Sequence, residues 1–309
     1  MLREMKGSLI FLISGLVILG YASSISTQST YQGVVREICG SAIGKLCEIC
    51  FILNLFMISV AFLRVVGDQL EKLYDSYLNE TLSEGGPPPQ HWYMDHRFTL
   101  TTLCVLVIFP LSVPREIGFQ KYSRASSWAS MFSVIPTICF GFQCHEACVA
   151  IYSSMYNKKL SHWIVVSVLS MIICLLMYSL TGLYGYLTFG GDVAADILMS
   201  YPGNDVVVII ARLLFGVSIV TIYPIVVLLG RSVLRDVCLN SKCSYIVIME
   251  PYERWTRITL TSTWIIVTLI IALFVPDISE VISIIGGISA FFIFIFPGMY
   301  IVIRVRVCV

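Results

Sequence analysis

Two ionisable side chains lie inside a long apolar stretch of the sequence, residues 131–152. His145 and Glu146 are neighbours in this stretch, and Pro136 and Gly141 precede them. Because proline lacks a backbone donor and glycine adopts many conformations, a helix through this stretch is expected to bend or unwind. The unpaired backbone groups of such a break are tolerated in a membrane where they line a protein cavity. The stretch therefore predicts a solute site near the middle of a membrane.

The composition of the chain predicts the environment of this stretch. Its 309 residues are 57% hydrophobic and 13% charged, and the mean hydropathy is +0.86. Charged residues make up about a quarter of an ordinary soluble domain, so we expect an all-α membrane protein. The net charge of +1 argues against a nucleic-acid partner. Eight apolar runs are close to the ~20 residues that cross a bilayer, and they lie at 8–24, 44–66, 98–114, 131–152, 162–188, 206–230, 257–275 and 281–303.

The sequence gives no indication of an enzyme. It contains no glycine-rich phosphate loop, paired-carboxylate site, nucleophile motif or metal cluster. Its eleven cysteines are scattered, and the C-x-x-C pair of Cys47 and Cys50 lies in an apolar run without a second pair to complete a metal set. We interpret the cysteines as small buried hydrophobes. No catalytic residue and no cofactor are predicted.

The distribution of basic residues orients the predicted spans, with one exception. Lysine and arginine near span ends stay on the cytoplasmic side, which assigns that side to Arg124, before the 131–152 stretch, and to Lys158 and Lys159, after it. A single crossing cannot have both ends on one side. Either the stretch re-enters on the same side, or a span that belongs between Ser123 and Arg124 is absent. The lack of turn residues at that junction favours the second alternative.

The longest gap between predicted spans, residues 75–96, contains a glycosylation motif. Asn79 begins an N-x-T sequon, and a glycine pair and three consecutive prolines follow it. Glycine and proline predict an irregular loop here. A used sequon reports an extracellular or lumenal position, so Asn79 is a predicted glycosylation site.

Polar and small residues in other spans have simpler interpretations. Arg64 and Asp68 are four residues apart, a spacing that predicts an ion pair on one helix face. Arg212 lies near the start of its span and is predicted to extend toward the outer interface. Gly287 and Ser289 predict close helix packing, and a substrate role is the alternative.

Long stretches of the sequence resemble a known transporter family. PTICFGFQCHEACVAIY, which contains the interrupted stretch, is similar to the sodium-coupled neutral amino acid transporters, solute carrier family 38. The resemblance covers nearly the whole chain. The other similar stretches are FLISGLVILGYASSISTQSTYQGVVREICG, LNLFMISVAFLRVVGDQLEKL, YSLTGLYGYLTFGGDVAADILMSYPGND, VSIVTIYPIVVLLGRSV and SIIGGISAFFIFIFPG.

The resemblance implies a LeuT-like fold, in which two inverted five-helix repeats are followed by an eleventh helix. Helices 1 and 6 are unwound around the amino acid, and sodium lies between helices 1 and 8. The eight spans correspond to helices 2, 3, 4, 6, 7, 8, 9 and 10, so the bundle is incomplete. Residues 1–309 would form one transporter domain, with 8–123 a partial first repeat and 124–303 the second. The missing helix 5 falls at the junction where the charge pattern independently fails.

The resemblance also implies site residues. The unwound backbone of helix 6 contacts the substrate, and His145 is structural or gating; the lining positions implied are Cys139, Phe140, Gly141 and Phe142. The alternative is that His145 and Glu146 only bind neighbouring helices through hydrogen bonds. In the family a sodium-ligating threonine precedes the proline of helix 8, which implies Thr221 or Ser218, three residues apart ahead of Pro224. Oxygen ligands suit hard cations, but membrane-helix hydroxyls often bond their own helix.

By this resemblance we expect sodium-coupled symport of neutral amino acids such as glutamine or alanine, in the plasma membrane. The expected partners are a neutral amino acid, a sodium ion and the lipid bilayer, and no protein partner is indicated. The alternatives are a shortened membrane form that does not transport, and an amino acid sensor or scaffold. Alternating access requires one bundle to move against a scaffold, and two helices of that bundle have no counterpart. We therefore expect these 309 residues alone to be inactive.

Overall fold

A computed structural model describes residues 2–26, 28–83, 96–112, 138–156, 158–190, 196–202, 205–240, 250–275 and 278–308. Every regular element in these ranges is helical. The first part of the chain contains α1 (Leu2–Ser26), α2 (Tyr31–Cys39), α3 (Ser41–Ser83) and α4 (His96–Leu103), which continues through a π-helical turn at Cys104–Ile108 into α5 (Phe109–Ser112). The second part contains α6 (His145–Ser154), α7 (Leu160–Phe189), α8 (Ile197–Ser200), α9 (Val206–Asn240), α10 (Glu250–Phe274) and α11 (Ile278–Ala290), which continues through a π-helical turn at Phe291–Ile295 into α12 (Phe296–Cys308).

Six helical stretches are long and apolar enough to cross a membrane. They are Leu9–Ser26, Ser41–Asp75, Leu160–Phe189, Val206–Arg235, Trp255–Phe274 and Ile278–Ile303. They agree with six of the predicted spans and confirm an all-α membrane protein. The predicted span at 98–114 instead corresponds to a shorter apolar helix, Arg97–Ile108. The predicted span at 131–152 lies within the described residues only from residue 138 onward.

Helix α3 continues well beyond its apolar part. The prediction of an irregular loop from residue 75 is wrong as far as Ser83, where the helix ends. Hydropathy detects only the apolar portion of a helix, and residues 76–83 contain neither glycine nor proline to stop it. The backbone of Asn79 is therefore helical, and its glycosylation stays a prediction.

The helices form two compact units. The first unit comprises Met1–Asn54, Lys121–Tyr184 and Ile282–Val309, and within it α1 packs against α2, α6 and α12. Aromatic rings fill part of its core, where the Tyr31 ring lies 5.5 Å from the Phe292 ring in an edge-on arrangement. The Tyr31 hydroxyl donates to the Phe292 carbonyl oxygen at 2.9 Å. This bond gives the buried phenol the partner that it needs in an apolar core.

The second unit comprises Leu55–Gln120 and Gly185–Val281. Within it α9 packs against α5 and α10. Trp264 lies at this contact, with its ring 5.4 Å from that of Phe56 and its indole N–H donating to the Ser59 hydroxyl oxygen at 3.0 Å. The Tyr223 and Thr268 hydroxyls, both buried, are 2.7 Å apart. Buried polar groups in this unit are thus joined across its helices.

Candidate functional site

The helical path of the first unit is interrupted just before α6. Residues 138–141 are helical, residues 142–144 are not, and a new helix begins at His145. The Phe142 N–H still donates to the Ile138 carbonyl oxygen at 2.9 Å, whereas the Cys144 N–H donates to the Phe142 carbonyl oxygen at 2.8 Å. The helical hydrogen-bond pattern therefore ends with the Phe142 N–H. This break lies where the residues of the stretch predicted it.

The predicted lining positions lie around this break, and most of them are buried. Cys139, Gly141 and Phe142 are buried, and Phe140 is half-buried. The Gly141 carbonyl oxygen accepts a hydrogen bond from the Tyr178 hydroxyl at 2.9 Å. The Phe142 ring meets the Tyr178 ring edge-on, with centroids 5.1 Å apart. Helix α7, which carries Tyr178, therefore holds one side of the break.

His145 is fully enclosed against α1. Its side chain is 0% exposed, and Nε2 lies 3.0 Å from the Leu12 carbonyl oxygen. Gly15 of α1 makes room for the ring, since a Cβ there would lie 3.0 Å from His145 Nε2. His145 thus contacts a neighbouring helix, and its role, structural, gating or substrate-binding, stays a prediction.

The polar residues on either side of His145 join a buried network. The Asn54 side-chain amide donates to Glu146 Oε1. The Ser289 hydroxyl donates to Gln143 Oε1 at 2.6 Å and lies 3.5 Å from Asn54 Oδ1. Asn54 and Ser289 are 0% exposed, and Glu146 is 8% exposed. The network thus connects both sides of α6's first turn to α3 and α11.

Two members of this network were not found by sequence reasoning. Asn54 is a single polar residue in the apolar run FILNLFMI, and an isolated polar residue inside a membrane span is itself a functional signal. Ser289 was interpreted as a small packing residue. Its hydroxyl also makes polar contacts, with Gln143 and with Asn54. The amide of Asn54 could have been singled out; its partners could not.

The two predicted sodium ligands belong to the second unit. Ser218 and Thr221 both lie on the exposed surface of α9. The Thr221 hydroxyl donates to the Ser218 carbonyl oxygen at 2.7 Å, the arrangement that was the alternative to metal binding. Their role in sodium binding stays a prediction.

A second polar cluster of this unit surrounds α8. Arg212 was predicted to extend toward the outer interface, and this stays a prediction. Its side chain is 0% exposed. Its Nη2 donates to the Leu198 and Tyr201 carbonyl oxygens at 2.9 and 3.0 Å. Gln69 Nε2 donates to Asp196 Oδ2 at 2.6 Å. The guanidinium group of Arg212 therefore finds its hydrogen-bond acceptors in the backbone of the segment that contains α8.

Burial changes the titration of the Asp196 carboxyl, which lies outside the membrane-spanning helices. Removal from water raises its pKa above the ordinary value. The hydrogen bonds from the Leu198 N–H and from Gln69, together with the charge of Arg212, oppose that increase.

The predicted ion pair of Arg64 and Asp68 is confirmed at 2.9 Å.

The chain is similar to known transporters over most of its length. The family described as transmembrane amino acid transporter protein matches residues 8–133 and 114–304. A Xenopus tropicalis relative, whose name places it among the sodium-coupled neutral amino acid transporters, is 62% identical over 97% of this chain and 76% of its own. Solute carrier family 38 member 8 of Homo sapiens is 58% identical over 94% of this chain and 75% of its own. The sodium-coupled neutral amino acid transporter 7 of Danio rerio is 44% identical over 94% of this chain and 69% of its own length. No solved structure matches the chain.

The similarity is interrupted inside the chain. The two matched ranges overlap at residues 114–133, which include the junction of Ser123 and Arg124. The alignment with the Xenopus tropicalis relative covers 334 positions, 25 more than the 309 residues of the chain, so at least 25 positions of that relative face gaps. That total exceeds the ~20 residues of one membrane span. The junction itself lies outside the described residues.

Proposed function

The chain belongs to the sodium-coupled neutral amino acid transporters of solute carrier family 38, and from this premise we propose that it moves neutral amino acids such as glutamine or alanine across a membrane together with sodium. The names of its relatives support amino acid transport. The six apolar helices place the chain in a membrane that it crosses several times. We assign it to the plasma membrane.

The break at residues 142–144 is the observation that carries this proposal. It lies between two helical segments of one unit, and Cys144, the N-cap residue of α6, makes no side-chain hydrogen bond to the helix start. The first N–H groups of a helix and its dipole favour an anionic group. A broken membrane helix can direct such an end at a substrate carboxylate. The half-buried Phe140 and the buried Cys139, Gly141 and Phe142 are the proposed lining.

A LeuT-like arrangement would give this break its place in a transport cycle. In that arrangement residues 8–123 belong to the first repeat and residues 124–303 to the second. The break would then lie in helix 6, and Thr221 or Ser218 in helix 8 would contribute to a sodium site. Oxygen ligands of this kind are those that hard cations prefer.

A shortened form that does not transport is the second candidate. It is supported by the overlap of the two family matches at residues 114–133 and by the 25 or more alignment positions without a residue of this chain. It also agrees with the charge pattern, which places both ends of the 131–152 stretch on one side. A sensor or scaffold function stays a prediction.

Uptake of labelled glutamine and alanine by cells that express the chain tests the proposal. The proposal predicts uptake above an empty-vector control that falls when choline replaces sodium. The expectation drawn from the absent helices, that these 309 residues alone are inactive, predicts uptake at the control level. The Phe140→Ala variant should lower uptake, while Phe274→Ala, which changes a ring that is 80% exposed, should not. Membrane expression is checked for every variant by surface labelling.

A chimaera separates the two candidates. It carries, between Ser123 and Arg124, where a span is predicted to be absent, a membrane span taken from the Homo sapiens relative. Uptake by the original chain supports the transporter. Uptake by the chimaera alone supports the shortened form, and uptake by neither, with both in the membrane, contradicts the proposed transport.

A further inference from the structure

The Glu146 carboxylate is buried without a positive partner. Neither the ion pair of Arg36 and Glu48 nor that of Arg64 and Asp68 involves Glu146, which accepts a hydrogen bond from the Asn54 amide. The neighbouring His145 points its Nε2 at the Leu12 carbonyl. A buried carboxylate without a counter-charge costs several kcal/mol or more. Either a proton on Glu146 or a bound cation would remove this cost.

The other titratable groups around Glu146 do not supply that charge either. Tyr31 of α2 and Cys47 of α3 lie within its electrostatic range. Both are weak acids, which are neutral or negative and never positive. Tyr31 and Cys47 thus add a hydroxyl and a thiol next to Glu146, while Arg36, the basic residue of α2, pairs with Glu48.

The polar atoms next to Glu146 contain more acceptors than donors. Ser289 has one hydroxyl hydrogen, and its 2.6 Å contact with Gln143 Oε1 uses it. The 3.5 Å distance from Ser289 Oγ to Asn54 Oδ1 then brings two oxygens together without a hydrogen between them. Asn54 donates one of its two side-chain amide hydrogens to Glu146 Oε1. The side-chain oxygens of Asn54, Gln143 and Ser289 are consequently linked through short contacts to the Glu146 carboxyl group.

We propose that Glu146, Asn54, Gln143 and Ser289 form a binding site for a sodium ion. Hard cations take oxygen ligands from carboxylates, amide carbonyls and hydroxyls, and these four side chains offer all three kinds. One carboxylate balances the charge of a monovalent ion. The site lies beside the break in the first unit, and it is separate from the Ser218 and Thr221 pair in the second. It deepens the proposed function, on which it rests for the choice of sodium over other monovalent cations.

Sodium binding by the purified full chain, without any amino acid, tests this site. Thermal unfolding is followed while sodium chloride replaces choline chloride or potassium chloride at constant ionic strength. We expect a saturable rise of the unfolding midpoint that is specific to sodium. Glu146→Gln should abolish the rise, because the charge is lost while the shape is kept. Glu37→Gln, which changes an exposed carboxylate of the same unit, should leave it intact.

A second variant keeps the test independent of how well Glu146→Gln folds. Ser289→Ala removes one ligand and should raise the half-saturating sodium concentration by about tenfold, which corresponds to ~1.4 kcal/mol. Binding of radioactive sodium to the same preparations gives a direct reading of occupancy. An unchanged half-saturating concentration in Ser289→Ala overturns the proposal.

Two further results would also overturn it. One is a sodium response that persists in Glu146→Gln. The other is a wild-type midpoint that rises on acidification but not with sodium, because a proton would then neutralise Glu146. Absent uptake with an intact, Glu146-dependent sodium response would contradict only the proposed transport. Sodium-coupled uptake that is retained by Glu146→Gln would contradict only this site.

Discussion

The Tyr178 hydroxyl donates a hydrogen bond to the Gly141 carbonyl oxygen at 2.9 Å, at the last helical residue before the break. A carbonyl at this position would otherwise lack a partner in an apolar environment. The bond fixes the break against α7. The interrupted helix thereby has the carbonyl of its last helical residue paired.

Replacing Tyr178 with phenylalanine should therefore destabilise the first unit. The ring contact with Phe142 is kept, but the Gly141 carbonyl loses its donor, at a cost of about 1–3 kcal/mol. We expect a lower thermal midpoint for the purified variant. Tyr186→Phe is the matched control on the same helix, since that side chain is 67% exposed. Equal midpoints for Tyr178→Phe and wild type would show that the bond has no structural role.

Substitution of Gly230 by alanine should disrupt the contact between α9 and α10. A Cβ at Gly230 would lie 2.6 Å from Trp264 Cη2, and hydrogen bonding to Ser59 holds that ring in place. Overpacking of this kind costs about 1–3 kcal/mol. Gly216→Ala on the same helix has nothing within 4 Å and should be neutral or slightly stabilising. Thermal midpoints that do not separate the two variants would contradict this packing.

The raised pKa of Asp196 predicts a pH dependence of stability. Because burial favours the protonated carboxyl, the folded state binds more protons than the unfolded state between the unfolded value of 3.8 and the raised folded value. The stabilising effect is complete below the unfolded value and is lost as pH rises through the folded one. Thermal midpoints of wild type should fall through this window.

Asp196→Asn should remove this fall of the thermal midpoint with rising pH, because the new amide does not titrate. Gln69 can then turn its unpartnered Oε1 toward the new amide. Asp205→Asn, which changes an exposed carboxyl, is the control and should keep the wild-type pH profile. A profile that is the same for wild type and Asp196→Asn would locate the titrating group elsewhere.

Loss of the Arg212 side chain should release the segment at residues 196–202. Arg212→Met removes the donor of two carbonyls, each worth about 1–3 kcal/mol when left unsatisfied. Amide hydrogen exchange in peptides that cover α8 should become faster. Arg235→Met, near the exposed end of the same helix, should leave exchange at α8 unchanged. Unchanged exchange in Arg212→Met would mean that other contacts hold α8.

The sequence predicted the membrane helices well because hydropathy depends on local composition. Six spans lie close to their predicted bounds, and the helix is interrupted next to Gly141, as predicted, while Pro136 lies outside the described residues. The polar end of α3 was missed for the same reason, since hydropathy does not register a helix that leaves the membrane. Helix boundaries of that kind depend on breakers and not on apolar character.

The partners of the site residues could not be predicted. Glu146 meets Asn54 across 92 positions of sequence and Gln143 meets Ser289 across 146, and a single sequence carries no signal for such pairs. The acceptors of Arg212 were not predicted either, because they are backbone carbonyls of the segment between two apolar helices. Local rules predict which residues are unusual, while their contacts depend on the packing of distant helices.

Sodium-dependent uptake of labelled glutamine by cells expressing these 309 residues tests the central claim most directly. The account predicts accumulation above the empty-vector level, with loss of that accumulation when choline replaces sodium. Accumulation equal to the vector level in both media, for a chain shown to be present in the membrane, would contradict it.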